Sequence, residues 1–197
     1  MIIGICGHKL EGKDTAYLLL KEAYGDRYTF HNLKFATKIK QLCTLLFGWT
    51  AEQMEDQSWK ETIDPEWGFS FRQMAEWIGT KVLRNDICEQ FPEYGKLIGK
   101  GLWVKSTIKE ALKLDNDNTI ICITDVRAPN EAEAINKCGG EVIRLFRTGL
   151  SINNDSEIER AVNTVEVDYG CVNNGIYLKP FQDDLIEVFE KILEDRK

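Results

Sequence analysis

Two glycines followed by a lysine close to the N-terminus constrain this chain most, in the run Gly7-His8-Lys9-Leu10-Glu11-Gly12-Lys13-Asp14-Thr15. The apolar residues 1–6 precede this run and predict a strand that is buried on both faces of a parallel sheet. A helix is predicted to begin at Lys13 and end near Gly25, since apolar residues recur at helical spacing at Ala16, Leu19, Leu20 and Ala23. A strand, a glycine-bearing turn and a helix in this order predict a phosphate-binding loop.

The chemistry of this loop suits the phosphates of a nucleotide. Its glycines let backbone N–H groups turn toward phosphate oxygens, the helix N-terminus is positive, and Lys13 adds a charge beside the β and γ phosphates. All of residues 7–15 are therefore candidate nucleotide-binding residues. In the usual P-loop a Ser or Thr follows the lysine and binds Mg²⁺. Asp14 stands there and Thr15 comes next, so both are candidate magnesium ligands; we favour Thr15, and Asp14 could instead cap the helix.

Alternation of strand and helix patterns predicts the fold class. The strongest buried-strand signal, residues 119–125, ends on a carboxylate, and residues 141–146 form a further strand by composition. Helices are predicted for residues 36–47, 71–85, 104–114 and 132–137 and from Phe181 onward. We therefore expect an α/β fold with a mostly parallel sheet, helices on both of its faces, and an inserted helical region in the middle of the chain.

Length and composition limit the function classes. The 197 residues suit a single domain, with a core of about 1–48 and 117–197 and a helical region of about 49–116. The net charge of −7 argues against a broad face for a nucleic acid polymer. Apolar runs fall far short of the ~20 residues that span a bilayer, and without a leader pattern we expect a cytoplasmic protein. The six cysteines are spaced singly, which predicts reduced core residues rather than a zinc site or a disulfide framework.

A second candidate site follows the 119–125 strand. Asp125 lies at its carboxyl end, where open parallel sheets bind ligands, and Arg127 follows two residues later. The alternative is an ordinary helix-start loop, with Asn130 as the cap and with Glu131 and Glu133 facing solvent. From these residues alone, the two interpretations have equal weight.

Phosphoryl transfer also needs arginines that neutralise the charge of the transferring group. Solvated surface positions are the alternative for each of the candidates, which are Arg72, Arg84, Arg127, Arg144 and Arg147. Neither His8 nor His31 has the neighbours of a catalytic histidine. The tryptophans of the middle third are expected mostly in the core, with one or two beside a nucleobase.

Taken together, these motifs resemble bacteriophage-type deoxynucleoside monophosphate kinases. The most specific match is Thr124-Asp125-Val126-Arg127-Ala128-Pro129-Asn130-Glu131-Ala132-Glu133-Ala134-Ile135, and the form Gly12-Lys13-Asp14-Thr15 is also similar to that family's P-loop. Further matches along the chain are Phe71-Arg72-Gln73, Ile78-Gly79-Thr80, Leu102-Trp103-Val104 and Val172-Asn173-Asn174-Gly175. At residues 154–157 the match is weaker, because Asn154 stands where the family often has a histidine.

The resemblance implies a P-loop kinase fold with a parallel core sheet, a helical part that binds the monophosphate, and a lid. It implies ATP and Mg²⁺ as cofactors, with Lys13 and the loop on the ATP phosphates and Thr15 near magnesium. Arg72 would bind the acceptor phosphate, Asp125 and Arg127 would lie between the two nucleotide sites, and Arg147 would come from or near the lid. The implied catalytic set is therefore Lys13, Arg72, Asp125, Arg127 and Arg147.

The resulting hypothesis is an ATP-dependent phosphotransferase of deoxynucleotide metabolism. It would transfer the γ-phosphoryl group of ATP to a deoxynucleoside 5′-monophosphate, with these small nucleotides as its partners. Two alternatives stay open: a P-loop kinase that acts on another small phosphorylated metabolite, and a module that binds ATP without catalysis. The resemblance suggests a phage or viral source, hence the host cytoplasm. The sequence indicates neither the base preference nor the oligomeric state, for which a homodimer is one option.

Overall fold

The computed structural model describes residues 1–99, 101–150 and 157–196. The weaker family match lies largely outside this part of the chain, because residues 154–156 are not among those described. The chain forms two compact units, one of Met1–Phe35 with Thr107–Lys197 and the other of Ala36–Ser106. A β-sheet is the centre of the first unit, and the second unit is helical.

The sheet of the first unit has five strands, and every neighbouring pair is parallel. The strands lie in the order β2-β3-β1-β4-β5 and span Ile2–Cys6 (β1), Thr29–Leu33 (β2), Thr119–Val126 (β3), Glu141–Arg147 (β4) and Tyr169–Asn173 (β5). The predicted α/β class with a parallel sheet is confirmed. Residues 2–6 of β1 are all buried, as a central strand of such a sheet requires.

Helices connect the strands and build the second unit. In chain order they are α1 (Lys13–Tyr24), α2 (Thr37–Phe47), α3 (Ala51–Glu55), α4 (Gln57–Glu61), α5 (Phe71–Glu76), a π-helix (Trp77–Asp86), α6 (Ile87–Gln90), α7 (Pro92–Ile98), α8 (Leu102–Leu114), α9 (Pro129–Asn136), α10 (Glu157–Val162) and α11 (Leu178–Glu194). Within the described ranges, none of them is both long and apolar enough to cross a membrane.

Helices cover both faces of the sheet. Ile3 and Ile5 of β1 belong to one buried cluster with Leu20 of α1 and Phe189 of α11. Gly4 points to the opposite face, since successive strand residues alternate, and a Cβ placed on it would lie 2.7 Å from Ile135 Cδ1 of α9. The prediction of helices on both faces is therefore confirmed, and Gly4 allows α9 to approach closely.

The strand register brings the two sequence motifs to one edge of the sheet. Cys6, the last residue of β1, lies opposite Val126 of β3 and Arg144 of β4. The chain leaves β1 toward β2 and leaves β3 toward β4, in opposite directions across the sheet, and parallel sheets bind ligands beyond the carboxyl ends of two such strands. The phosphate-binding loop and the residues around Asp125 therefore both begin at this edge.

In the helical unit the predicted continuous helix over residues 71–85 is instead α5 followed by the π-helix. Its wider turn was missed because apolar spacing over ten residues does not separate the two helix types. Gly79 has no side chain to pack, and its carbonyl accepts a hydrogen bond from Trp103 Nε1 at 2.9 Å. Trp49 and Trp103 are buried as expected of core tryptophans, whereas Trp67 and Trp77 are exposed.

Candidate active site

The loop between β1 and α1 contains two residues with a positive φ. Leu10 has a φ of 69° and Gly12, the residue before α1, has a φ of 97°. A positive φ costs a non-glycine residue energy, so Leu10 is strained. A Cβ on Gly12 would lie 2.8 Å from the side-chain nitrogen of Asn173. Glycine is required there both for the conformation and for the close approach of Asn173.

Lys13 places a buried positive charge at this turn. Only 9% of the residue is exposed. Its Nζ donates to the carbonyl oxygen of Gly7 at 2.8 Å and to that of His8 at 2.5 Å. These carbonyl groups orient the ammonium beside the N-terminus of α1, where the helix dipole also favours an anion.

Glu11 supports the loop from within the protein. The residue is 2% exposed, and its Oε2 accepts the backbone N–H of His8 at 2.5 Å. A Cβ on Gly7 would lie 2.7 Å from this oxygen, which explains why the first loop residue is glycine. The sequence placed Glu11 in the loop only as a backbone donor. Its side-chain role was missed, because nothing in the spacing shows which way the carboxylate points.

Two side chains from the ends of neighbouring strands bind the outer side of the loop. Arg147 Nη1 donates to the Leu10 carbonyl at 2.8 Å, and Asn173 Nδ2 donates to the Glu11 carbonyl at 3.1 Å. Arg147 ends β4 and Asn173 ends β5. The structure therefore brings Arg147 and Lys13, two predicted catalytic residues, to the same loop. Asn173 was noticed only as part of a family-like turn, and its contact with the loop is new.

Oxygen atoms collect beside the first turn of α1. The hydroxyl of Thr124 lies 3.2 Å from Asp14 Oδ1 and 2.9 Å from Asn32 Oδ1. Lys34 Nζ pairs with the same Asp14 oxygen at 2.7 Å. Thr15, which we favoured for magnesium, is half-buried in the same turn. Among the described residues there is no group of three or more His, Cys, Asp or Glu side chains that could bind a metal ion by itself.

Comparison with known proteins identifies the family. A protein of Acanthamoeba polyphaga mimivirus named "Putative deoxynucleotide monophosphate kinase" is 32% identical over 182 residues, which cover 88% of this chain and 89% of the viral protein. The chain belongs to the deoxynucleotide monophosphate kinase family. This confirms the resemblance seen in the sequence, and the protein is a kinase. No protein-family model matches the chain.

Solved structures of other kinases are similar to this kinase at low identity. Shikimate kinase from Aquifex aeolicus is 12% identical, with a TM-score of 0.48 over 100% of this chain and 98% of that one. A gluconokinase from Sinorhizobium meliloti is 14% identical, with a TM-score of 0.43 over 99% of this chain and 97% of that one.

Asp125 organises the backbone beside the loop of this kinase. Its Oδ1 accepts the N–H of Phe35 at 2.8 Å, which ties the segment after β2 to the end of β3. Glu131 fixes the next turn, because its Oε2 accepts the N–H of Arg127 at 2.7 Å and that of Ala128 at 3.0 Å. Glu131 is buried, so the interpretation that it faces solvent is wrong. Both motif carboxylates thus shape the segment that carries the Arg127 side chain.

The helix after this motif also begins earlier than predicted. The expected helix over residues 132–137 with Asn130 as its cap is instead α9, in which Ala128 is the N-cap and Pro129 the first helical residue. Proline suits that position because the N–H of a first helical residue has no partner within the helix, so nothing is lost when proline lacks it. Glu131, the third helical residue, accepts the N–H of the N-cap Ala128, as the glutamate of a capping box does.

The other candidate arginines of the kinase lie in different settings. Arg72 is in the first turn of α5 in the helical unit, where it pairs with Glu61; both side chains are more than half exposed. Arg144 donates from Nη2 to the carbonyls of Val162 and Val165, the latter at 3.2 Å. Arg144 therefore stabilises the segment after α10 and has a structural role.

An open groove lies beside the loop of the kinase. Its volume is about 460 Å³, and its lining residues come from the loop, from the end of β4 and from the turn after β5: Leu10, Arg147, Thr148, Gly149, Leu150, Asn174, Gly175 and Ile176. Leu10 and Ile176 are large exposed apolar side chains, and Arg147 adds a planar cation to the lining. Sequence reasoning missed this groove, because its walls are far apart in the chain.

Proposed function

We propose that this kinase transfers the γ-phosphoryl group of ATP to a deoxynucleoside 5′-monophosphate, giving ADP and a deoxynucleoside diphosphate. The observation that carries the proposal is the buried Lys13 ammonium, which two loop carbonyls orient at the N-terminus of α1. A buried ammonium that carbonyl groups hold beside a helix N-terminus is suited to a polyanion. Family membership supports the nucleotide as the acceptor.

The residues around the loop fit ATP. Lys13 and the backbone N–H groups of the loop would bind the β and γ phosphates. The groove beside Leu10 and Arg147 would take the base and the sugar, because a flat base packs well between apolar side chains and a guanidinium plane. Arg147 contacts both places, so it would align the base with the phosphates.

Magnesium also fits the donors present. Mg²⁺ prefers oxygen ligands and is commonly bound by one or two protein groups together with phosphates and water. Thr15 and Asp14 offer a hydroxyl and a carboxylate in the first turn of α1, and Asn32 and Thr124 supply further oxygens beside Asp14. When bound, the ion would neutralise charge on the phosphate oxygens. Lys34, which pairs with Asp14, would keep that carboxylate in place.

The helical unit, Ala36–Ser106, would bind the acceptor nucleotide. Arg72 would bind the acceptor phosphate. Its ion pair with Glu61 is exposed and therefore weak, so the guanidinium can leave Glu61 and bind a phosphate group, which carries more charge. Asp125 and Arg127 would lie between the two nucleotides. The acceptor phosphate is itself a nucleophile, so these residues need only position the groups, neutralise charge and exclude water.

Replacement of Lys13 tests the proposal. We expect Lys13→Ala to lose almost all turnover in an assay that measures ADP release, while its melting temperature stays close to that of the wild type. The matched control is Lys137→Ala, because Lys137 forms only an exposed helical ion pair with Glu133. Near-normal turnover of purified Lys13→Ala would contradict the mechanism.

A panel of acceptors tests the substrate class. The wild-type protein is assayed with each deoxynucleoside monophosphate, with the ribonucleotides, and with other small phosphorylated metabolites. We expect turnover with at least one deoxynucleoside monophosphate, and thermal stabilisation by the same nucleotide, because a ligand that binds the native state raises its stability. Turnover only with a phosphorylated metabolite that is not a nucleotide would replace the proposed acceptor.

A further inference from the structure

The backbone and the ring of His8 both make contacts within the protein. Its N–H donates to Glu11 Oε2 at 2.5 Å, and its carbonyl accepts from Lys13 Nζ at 2.5 Å. Its ring Nε2 lies 3.0 Å from the side-chain oxygen Oδ1 of Asn163, more than 150 residues later in the chain. The backbone and the ring of His8 are therefore fixed together, and its carbonyl in turn orients the lysine that would bind ATP.

The ring is part of the protein interior rather than a side chain in solvent. His8 is 5% exposed, whereas Asn163 is an exposed residue, so the contact lies where the interior meets the surface. With the amide oxygen of Asn163 as the neighbour, Nε2 carries the proton and donates, which selects one of the two neutral tautomers. The contact thus fixes both the position of the ring and the place of its proton.

Hydrogen bonds hold the turn that carries Asn163. It directly follows α10, and its own N–H donates to the Arg160 carbonyl at 3.2 Å. The neighbouring Val162 and Val165 are buried, and their carbonyls accept hydrogen bonds from Arg144 of β4. Arg144 therefore fixes the turn that carries Asn163 to the same sheet from which the loop emerges.

We propose that Asn163 and the ring of His8 are positioning residues of the kinase, which act through the His8 carbonyl to orient the ammonium of Lys13. This inference rests on the proposed function of Lys13 toward ATP. The chain of contacts runs from β4 through Arg144 to the turn after α10, through Asn163 to His8, and finally to Lys13. The turn after α10 thereby sets the geometry of the loop. Neither residue needs to touch a nucleotide.

Imidazole nitrogen NMR tests the contact directly, because the protein has two histidines and His31 is an internal reference. At a pH above the ordinary pKa of histidine, we expect His8 of the wild type to be the Nε2–H tautomer. Asn163→Ala should shift the His8 signals toward a tautomer mixture, and Asn163→Asp, which keeps an oxygen at the same place, should retain the wild-type tautomer. The His31 signals should not change. A His8 ring that is insensitive to Asn163→Ala would overturn the proposal.

Kinetics then test whether the contact positions Lys13. We expect Asn163→Ala to lower kcat roughly tenfold with a smaller change in the KM for ATP, because a slight misplacement of a charged group costs mainly transition-state binding. Asn163→Asp should recover most of the loss. The matched control is Thr164→Ala, since the Thr164 hydroxyl only caps the Ala161 carbonyl at 2.8 Å.

The outcomes separate this inference from the proposed function. If Asn163→Ala changes the His8 tautomer but leaves kcat unchanged, the contact is structural and the positioning role is wrong. If Lys13→Ala retains turnover, the proposed function is wrong whatever the NMR result. Melting temperatures of the variants show whether a loss of kcat comes from misfolding. If Asn163→Ala is misfolded, the positioning role is tested with Asn163→Asp instead. A folded Asn163→Asp variant that does not recover kcat would overturn the proposal.

Discussion

Arg147 Nη1 donates to the carbonyl oxygen of Leu10 over 2.8 Å, so the last residue of β4 is bonded to the strained position of the phosphate-binding loop. Leu10 has a φ of 69°, a conformation that costs a leucine energy. A charged donor on its carbonyl offsets part of that cost. The same guanidinium lines the groove proposed for the base of ATP. One side chain thus links the shape of the loop to the nucleotide.

Replacing Arg147 should weaken ATP binding. We expect Arg147→Ala to lower kcat/KM for ATP about tenfold or more, corresponding to about 1.4 kcal/mol, because a hydrogen bond from a charged donor is lost. The matched control is Arg196→Ala, which removes an arginine that pairs with Glu141 at 3.8 Å instead of contacting the loop. Steady-state kinetics with varied ATP measure both. Equal kcat/KM values for the two variants would contradict the assignment.

Gly12 should not tolerate a side chain. Gly12→Ala combines a φ of 97° with a Cβ that would lie 2.8 Å from Asn173 Nδ2, and Asn173 would have to leave the Glu11 carbonyl. Gly139→Ala is the control, since Gly139 has a φ of 71° but nothing within 4 Å of the added carbon. We expect Gly139→Ala to cost about 1 kcal/mol of unfolding free energy and Gly12→Ala clearly more.

Nucleotide binding separates the two glycine variants further. Thermal stabilisation by ATP should persist in Gly139→Ala and disappear in Gly12→Ala, because only Gly12 belongs to the loop. Urea denaturation and melting curves with and without ATP provide the measurements. If both variants lose the same stability and keep the same response to ATP, the close approach of Asn173 has no energetic consequence.

Local patterns explain which parts of this molecule were predictable. The loop, β1, α1 and β3 were read correctly because glycine spacing and apolar periodicity are properties of neighbouring residues. The contacts of His8 with Asn163 and of Asn173 with Glu11 were not predicted, since they join residues 155 and 162 positions apart. Periodicity carries no information on such pairs. The start of α9 was missed because its N-cap, Ala128, has no capping side chain, and the Glu131 carboxylate that accepts its N–H is buried.

The π-helix gives a test of packing in the helical unit. A Cβ on Gly79 would lie 2.7 Å from Ile39 Cδ1, the tip of a flexible side chain. Gly79→Ala adds that Cβ, and Ile39→Val removes the methyl group that it would meet. The double variant should therefore be more stable than the sum of the two single changes predicts, by about 0.5–1 kcal/mol. Urea denaturation of the wild type, both single variants and the double variant measures this coupling. Additive changes would show that the Gly79 and Ile39 contact does not restrict the helix.

Thiol reactivity should follow burial. All six cysteines are free; Cys6, Cys43, Cys122 and Cys171 are buried, and Cys88 and Cys138 are half-buried. Burial raises the pKa of the Cys43 thiol to about 11 and that of Cys122 to about 12. We expect an alkylating reagent near neutral pH to modify Cys88 and Cys138 in the native protein and all six after denaturation, since the thiolate is the nucleophile. Mass spectrometry that finds native adducts at Cys43 or Cys122 would contradict this.

The same thiols predict how stability changes at high pH. The pKa values of Cys43 and Cys122 are raised in the folded protein from an ordinary value of 9.0, so folding favours the protonated thiols. Their contribution to stability is therefore complete below pH 9.0 and is lost as the pH rises toward about 11, because the thiols of the unfolded chain ionise first. Urea midpoints on both sides of this range measure the fall, and Cys43→Ala should show a smaller fall than the wild type. If the urea midpoint falls by the same amount in both proteins, the loss of stability comes from groups other than the Cys43 thiol.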